Sequence, residues 1–197
     1  MKKILMTLAA VAVAATMNAQ VWVGGELGYT TSHKVGNKTT DKVLSIKPEV
    51  GYNLSDKFAV AVALGYSYAS SLKDDDLNIT FNHVNTWAIN PYLRYTFVKV
   101  GNFSAFLDGG IEFASQHAKG YKKNLSTFGV SVKPGIAYNV SDKVTLVAHL
   151  GDGLYYAHKW NKSFEGDTKY AVQPSNNWNK FGFQLLNGVS FGAYYNF

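Results

Sequence analysis

Cysteine is absent from the 197-residue sequence. This excludes disulfides, thiol catalysis and cysteine-based zinc sites, and it also excludes a lipoprotein anchor, whose lipid is attached to cysteine. The fold must therefore be stabilised by packing and hydrogen bonding alone, and we predict no cofactor.

Arginine is almost absent too, since Arg94 is the only one in the chain. Nucleic-acid recognition normally uses clustered lysine together with arginine forks, so we predict no nucleic-acid partner. The modest excess of lysine over acidic residues is instead consistent with loops that lie near anionic lipid headgroups.

Long apolar runs are also lacking, except near the start of the chain. Residues 1–19 combine two early lysines, a short apolar stretch and a small residue, Ala19, before Gln20. The apolar stretch is shorter than the roughly 20 residues that a membrane-spanning helix needs. We therefore predict a signal peptide over 1–19 and an exported domain over 20–197. That domain is either soluble outside the inner membrane or a β-barrel.

Alternating side chains predict strands along most of the exported domain. Between residues 58 and 68, one face is large and apolar, and the other is small or polar. The same pattern predicts eight strands, at 20–30, 43–53, 57–69, 84–98, 103–115, 126–139, 143–151 and 181–197. Turn-forming tetrapeptides follow strands two, four and six, whereas long polar loops follow the odd strands, at 31–42, 70–83, 116–125 and 152–180. Alternation of short and long connections is typical of outer-membrane barrels.

The placement of charge distinguishes a membrane barrel from a soluble one. A charge on the lipid face costs about 2–4 kcal/mol near the bilayer midplane. Lys42 shares the apolar face of strand two but is predicted to lie just outside the strand. Every charge within the predicted strands falls on the small, polar face: Glu26, Lys47, Glu49, Arg94, Asp108, Glu112 and Lys133. A soluble lipocalin-like barrel would need the reverse arrangement.

The fold class predicted from these patterns is all-β, as an eight-stranded antiparallel up-and-down transmembrane β-barrel. Because isolated buried charges are very costly, the seven inward charges should pair with one another in a filled lumen. The alternative is a gated path for ions or protons.

Three prolines recur at equal spacing inside the predicted strands. "KPEVGYNLSDK" contains Pro48 and returns as "KPGIAYNVSDK" around Pro134, and "NPYLRY" contains Pro91. Proline has no N–H to donate to a neighbouring strand. We therefore predict a bulge or a local break in pairing beside each proline, in the half of the barrel near the short turns.

These motifs, together with the final strand "SFGAYYNF", resemble the small outer-membrane barrels of the OmpA, OmpX and OmpW kind. The resemblance implies a monomeric multi-pass protein of the outer membrane, in contact with lipid and lipopolysaccharide and inserted by the barrel-assembly machinery. It also implies a non-enzymatic structural or surface-interaction role through the external loops. The alternative is narrow porin-like transport of small or apolar molecules.

Signals for catalysis or metal binding are weak. The catalytic barrels need a histidine with a serine or acid near the membrane rim. Four of the histidines are predicted in or beside external loops, and the other, His149, to face inward near the outer end of strand seven. The five are His33, His83, His117, His149 and His158.

"KDDDLN" has the alternate spacing of a calcium loop at Asp74, Asp76 and Asn78, but it lacks the glycine and the closing glutamate of an EF-hand. We therefore predict no metal site.

The last predicted loop is rich in aromatic residues and lysine. Tyr155, Tyr156 and Trp178 are interpreted as part of the aromatic girdle near the membrane surface. Trp160 and Phe164 are placed in mid-loop, where they either pack within the loop or form a contact surface.

Overall fold

A computed structural model describes residues 20–33, 40–74, 79–119, 124–151, 153–160, 178–185 and 189–197. The predicted signal peptide lies outside these residues, so its cleavage stays a prediction. The strands are β1 Val21–His33, β2 Thr40–Asn53, β3 Phe58–Asp74, β4 Ile79–Val100, β5 Phe103–Ala118, β6 Leu125–Asn139, β7 Val144–His149, β8 Gly153–Trp160, β9 Trp178–Gln184 and β10 Ser190–Asn196. In this part of the chain, no helix has the length and apolar character needed to cross a membrane.

The strands close into one antiparallel barrel. Neighbours along the chain pair from β1 to β6, and β10 pairs with β1 to close the circle. Both β7 and β8 pair with β6, while β10 pairs with β7 and β9 pairs with β8. The last four segments therefore form two interrupted strands, and the predicted eight-stranded barrel is confirmed.

The loop-side ends of the strands are longer than predicted. β4 has 22 residues, whereas a transmembrane strand needs about 9–11. Its hairpin with β3 stays paired as far as Asp74 and Ile79, within the segment predicted as a loop. β2 likewise includes Lys42, which was predicted to lie outside it. Above the membrane neither lipid nor a core selects alternating side chains. Strand pairing therefore continues there without the alternation of apolar and polar residues by which a strand is predicted.

Strand seven does not end at residue 151, as the sequence predicted. After a short interruption it resumes as β8 and runs to Trp160. Gly151 and Gly153, on either side of Asp152, have positive φ angles of 99° and 55°. This left-handed backbone interrupts the strand pairing locally. In the sequence, two such glycines cannot be distinguished from the end of a strand.

The outer wall is apolar and the inner wall holds the charges. Leu64, Trp87 and Phe191 point outward and are 55%, 64% and 66% exposed. Arg94 and Asp108 point inward and are buried. This is the arrangement of a wall surrounded by lipid, and it agrees with the predicted alternation.

The repeated sequence motif produces a repeated turn. In the turn between β2 and β3, the Ser55 hydroxyl accepts a hydrogen bond from the Phe58 amide at 3.1 Å. In the turn between β6 and β7, Ser141 accepts from the Val144 amide at 3.1 Å. The serine side chain satisfies a backbone donor and stabilises each tight reversal.

Each repeated proline interrupts pairing on one side. Pairing between β2 and β3 passes from Ile46 directly to Glu49, so Pro48 is skipped. Pairing between β4 and β5 skips Asn90 and Pro91 in the same way. The register is unchanged across both gaps, so these are local breaks rather than bulges.

Pro134 marks the third break. It pairs with Leu107 on β5. On its other side the ladder ends where β7 stops, and the Leu150 amide donates to the Pro134 carbonyl at 2.9 Å. The predicted break beside every proline is therefore confirmed.

A side chain compensates for the missing donor at Pro91. The Ile111 carbonyl faces the position where an N–H at residue 91 would lie, and the Asn90 side-chain amide donates to it at 2.7 Å. Inside a bilayer an unsatisfied carbonyl is costly, because no water is available to bond it.

Asn90→Ala should therefore lower the free energy of unfolding by about 1–3 kcal/mol, the cost of a buried acceptor without a donor. Equilibrium unfolding in lipid vesicles measures this loss. In a Pro91→Ala background, where the backbone regains its N–H, the same substitution should cost much less. If Asn90→Ala lowered the free energy of unfolding equally in both backgrounds, the Asn90 side chain would not be compensating for the missing donor of Pro91.

Candidate functional site

A buried ion pair lies at the centre of the lumen. Arg94 on β4 and Asp108 on β5 are directly opposite each other in the strand pairing. The guanidinium donates from Nε to Oδ1 at 2.8 Å and from Nη2 to Oδ2 at 2.7 Å. This two-point fork is the strongest geometry that an arginine and a carboxylate form.

A second group of charges joins β1 and β2. Glu26 and Lys47 are opposite each other in the pairing, and Lys47 Nζ lies 3.0 Å from Glu26 Oε2. The same ammonium is 3.6 Å from Glu49 Oε1. Both carboxylates are buried, whereas the Lys47 side chain keeps a quarter of its surface exposed.

His149 connects the two groups. Its Nε2 lies 2.8 Å from Asp108 Oδ2 in a hydrogen bond. Its Nδ1 lies 2.8 Å from Glu26 Oε1, in a close contact without hydrogen-bond geometry. The sequence predicted that His149 faces inward but placed it near the outer end of its strand. It lies deeper because the strand continues as β8.

Hydroxyl groups complete the network. Tyr92 donates to Glu49 Oε2 at 2.5 Å, and Ser190 donates to Glu26 Oε2 at 2.6 Å. The Tyr194 hydroxyl accepts from Arg94 Nη2 at 3.2 Å. These partners were missed in the sequence because an inward Tyr or Ser has no signature that distinguishes it from other small or polar wall residues.

Aromatic rings enclose the guanidinium of Arg94. Its carbon atom lies 3.8 Å from the centre of the Phe106 ring, and the rings of Trp22, Tyr92 and Tyr194 lie within 5.6 Å. Cation–π contacts of this kind stabilise a buried cation, most of all where water is excluded. We call this group of charges and rings the plug. It comprises Glu26, Lys47, Glu49, Arg94, Asp108 and His149 and the rings of Trp22, Tyr92, Phe106 and Tyr194.

Glycines make room for these rings. Trp22 lies opposite Gly51, where a Cβ would be 2.1 Å from the ring. Phe106 lies opposite Gly135, where a Cβ would be 2.4 Å from the ring. Tyr194 with Gly24 repeats the arrangement, whereas the atom of Tyr92 nearest to Gly110 is its Cβ. An aromatic ring packed over a cross-strand glycine covers the backbone that the glycine leaves bare.

The plug separates cavities at the two ends of the barrel. A cavity of about 310 Å³ on the turn side ends on Arg94, Phe106 and Tyr194. A cavity of about 220 Å³ on the loop side is lined by Glu26 and Lys47, among others. Each has room for several water molecules, whereas the charged groups between them are buried.

Glu112 and Lys133, the remaining predicted members of the lumen network, lie elsewhere. Both line another loop-side cavity, of about 310 Å³, between β5, β6, β8 and β9. Of the seven predicted charges, the structure therefore brings five together in the plug and leaves these two outside it, although Glu112 also lines the cavity that Glu26 and Lys47 line.

The predicted contact surface falls only partly within the described residues. Trp160 is the last residue of β8, stacked 5.7 Å from the His158 ring, so its placement in mid-loop is wrong. Phe164 lies outside the described residues. Tyr156 faces outward, as a girdle residue should, whereas Tyr155 lines the cavity and is not part of a girdle. Trp178 begins β9.

The acidic segment is only partly described, and the histidine positions differ from expectation. Asp76 and Asn78 lie outside the described residues, and within the described ranges no group of three or more potential metal ligands occurs. The four loop histidines lie on strands rather than in loops: His33 on β1, His83 on β4, His117 on β5 and His158 on β8.

The plug does not have the geometry of a nucleophilic site. The Ser190 hydroxyl donates to the Glu26 carboxylate, and the imidazole of His149 lies on the far side of that carboxylate. A serine nucleophile needs the imidazole itself as its hydrogen-bond acceptor. The arrangement instead fixes side chains to one another across the lumen.

Comparison with known proteins agrees with this architecture. The family model described as "Outer membrane protein beta-barrel domain" matches residues 4–197. Neisserial surface protein A has a similar structure, with 15% identity, coverage of 91% of this chain and 98% of that chain, and a TM-score of 0.52. OprG from Pseudomonas aeruginosa is also similar, with 14% identity, coverage of 90% and 94%, and a TM-score of 0.51. At these identities the two structures support the fold alone. Comparison with curated protein sequences finds no match.

Proposed function

This chain belongs to the outer membrane protein β-barrel domain family and is a multi-pass barrel of the outer membrane, and from that premise we propose that it is a closed, non-enzymatic barrel with a structural or surface-interaction role. The observation that carries the proposal is the plug. Its ion pairs and aromatic rings occupy the middle of the lumen, and none of the described side chains there has an arrangement suited to nucleophilic catalysis.

The partners proposed for such a barrel are those that its surfaces meet. The apolar outer wall contacts lipid, and lysines near the loop-side end are suited to the phosphates of lipopolysaccharide. The barrel-assembly machinery would act during insertion, and we propose a monomer in the membrane. The extended β3–β4 hairpin supports a surface role, because it continues well beyond the length that spans a bilayer.

Narrow transport is the second candidate function. It is supported by the cavities on both sides of the plug, of about 310 and 220 Å³, since only the plug separates them. A movement of the plug would join the two cavities into a path for small molecules.

Planar-bilayer recording separates the two functions. We expect the purified wild-type barrel to show no steady ohmic conductance, because the charged groups of the plug are paired and its rings exclude water. Phe106→Ala with Tyr194→Ala removes two rings of the plug and should give measurable conductance. Gel mobility with and without boiling verifies that this variant folds.

A steady wild-type conductance, or swelling of liposomes in small solutes, would favour transport and contradict the closed barrel. An outward-facing double substitution, Leu64→Ala with Phe191→Ala, is the matched control. It removes comparable apolar groups from the lipid face and should leave the conductance unchanged.

A further inference from the structure

The histidine of the plug lies between two carboxylates. Nε2 of His149 is 2.8 Å from Asp108 Oδ2, and its Nδ1 is 2.8 Å from Glu26 Oε1. We propose that a proton held on His149 locks the plug in its closed form, and that loss of this proton at alkaline pH opens the lumen. The proposal rests on the closed-barrel function and goes beyond it, because it makes the closure depend on pH.

The geometry favours an imidazole that carries both protons. A neutral imidazole has one N–H, so its other nitrogen presents a lone pair. One ring nitrogen would then direct its lone pair at a carboxylate oxygen 2.8 Å away. Water is excluded from these contacts, since His149, Glu26 and Asp108 are each 5% exposed or less. The imidazolium has an N–H on each side, and its attraction to Glu26 does not depend on ideal hydrogen-bond alignment.

The two oxygens of the Glu26 carboxylate have different surroundings. Oε2 accepts a hydrogen bond from Ser190 at 2.6 Å and lies 3.0 Å from Lys47 Nζ. Oε1 lies 2.8 Å from the imidazole of His149 and 3.4 Å from the Tyr194 hydroxyl. Among the described groups, a neutral ring would leave Oε1 with one long hydrogen bond. The imidazolium therefore supplies the charge that this oxygen needs.

The charges of the plug support the same protonation state. With its three carboxylates ionised, the plug has two other cations, and the imidazolium of His149 is the third positive charge. A buried charge without compensation is very costly, so the neutral sum stabilises the closed form. The carboxylates are those of Glu26, Glu49 and Asp108, and the other cations are Lys47 and Arg94.

Groups from the surrounding strands fix the imidazole in place. The ring of Phe106 packs against it at 5.2 Å and nearly at a right angle. Ser190 of β10 and Gly135 of β6 lie opposite His149 in the strand pairing. Besides Glu26 and Asp108, the titratable or charged groups that face the lumen from the strands around it are Lys47 and Glu49 on β2, Tyr92 and Arg94 on β4, Tyr194 on β10 and, towards the loops, Glu112 on β5 and Lys133 on β6.

Loss of the proton would disconnect the two charged groups of the plug. A neutral His149 can donate to Asp108 or to Glu26, but not to both. The other carboxylate would then face a lone pair and an uncompensated negative charge, in a region where water screens little. The ion pairs on β1 and β2 would no longer be tied to those on β4 and β5. The cavities of about 310 and 220 Å³ on the two sides would join along that line.

Nuclear magnetic resonance measures the protonation state directly. The full chain is labelled with ¹⁵N-histidine and folded in detergent, and the spectrum of His149→Gln identifies the signal of His149. At about pH 7 we expect that signal to show an imidazolium with protons on both nitrogens. The exposed His117 should show a mainly neutral ring at the same pH, which is that of an ordinary histidine.

The stability of the barrel should fall as the pH rises. A histidine of the unfolded chain loses its proton near about pH 6.5. Above that pH, unfolding of a barrel that retains the proton of His149 releases it, so the unfolding constant should rise by up to about tenfold for each pH unit. Urea unfolding in vesicles between about pH 7 and about pH 9 measures this slope. His149→Gln should remove the slope, and His117→Gln is the matched control that should keep it.

Planar-bilayer recording tests the opening. The wild-type barrel should show no steady conductance at about pH 7 and a measurable one at about pH 9, whereas His149→Gln should conduct at both. His149→Gln with Glu26→Gln removes one charge of each sign, so this variant should conduct at neither pH. Gel mobility with and without boiling verifies that both variants fold.

Three results overturn the proposal. The first is a neutral imidazole in the folded wild-type protein at neutral pH, which would place the proton on another group, such as Glu49. The second is a stability slope that His149→Gln leaves unchanged, and the third is a wild-type barrel that stays closed at alkaline pH. A barrel that conducts at neutral pH while His149 is an imidazolium contradicts the closed-barrel function. A neutral imidazole in a barrel that does not conduct contradicts this inference alone.

Discussion

Replacing Arg94 with methionine should lower the free energy of unfolding by about 3–5 kcal/mol, the usual loss when one partner of a buried ion pair is removed. Asp108 would lose both hydrogen bonds of the fork and stay buried among aromatic rings. Because methionine fills most of the arginine's volume, the loss in free energy of unfolding measures charge pairing more than packing. Unfolding by urea in lipid vesicles, followed by tryptophan fluorescence, measures it.

Two further variants separate pairing from a general effect of removing charge. Glu112→Gln neutralises a carboxylate on the same strand, outside the plug, and should change the stability by less than about 0.5 kcal/mol. Arg94→Met combined with Asp108→Asn removes both charges of the pair, and it should recover a large part of the loss. If the double variant were no more stable than Arg94→Met alone, the ion pair would not be the source of the effect.

Gly135→Val should be strongly destabilising, because the new side chain would meet both a ring of the plug and the neighbouring backbone. A Cβ at this position would lie 2.4 Å from Phe106 Cζ and 3.1 Å from the Ala148 carbonyl oxygen. The ring cannot move away without disturbing the guanidinium that it stacks on, so we expect a loss of about 3 kcal/mol, the upper part of the range for overpacking. The fraction of folded protein on unboiled gels, and unfolding in vesicles, measure it.

Gly109→Val is the matched control, because this glycine lies in the same part of the barrel and a Cβ there meets nothing within 4 Å. It should be neutral within about 0.5 kcal/mol. Gly135→Val with Phe106→Ala exchanges volume between the two strands, so its cost should be less than the sum of the separate costs. Strict additivity would contradict direct packing of the ring on the glycine.

Much of the fold was predictable because the membrane imposes a local rule. Lipid on one side and a narrow lumen on the other select alternate residues, so Leu64 and Asp108 could each be assigned to a face without knowledge of their neighbours. The break at Pro91 was predictable for a similar reason, since proline lacks a donor wherever it lies. The loop-side hairpin was missed because no such selection acts above the bilayer.

The site was predictable only as a set of inward-facing charges. Which of them meet depends on the register within each hairpin, on which strands face one another across the lumen, and on where strand seven is interrupted. The continuation of that strand as β8 places His149 between Glu26 and Asp108. The same continuation brings Tyr155 and Lys159 into a cavity wall instead of a loop.

By itself, the sequence determined the number of strands, the two faces of each strand and the breaks at the prolines, because these follow from the chemistry of single residues and their nearest neighbours. Closure of the barrel decided the rest. It placed Ser190 against Glu26 and His149 between Glu26 and Asp108, and it left Glu112 and Lys133 outside that network. Those contacts join residues from different strands, and only the register of the closed barrel brings them within reach.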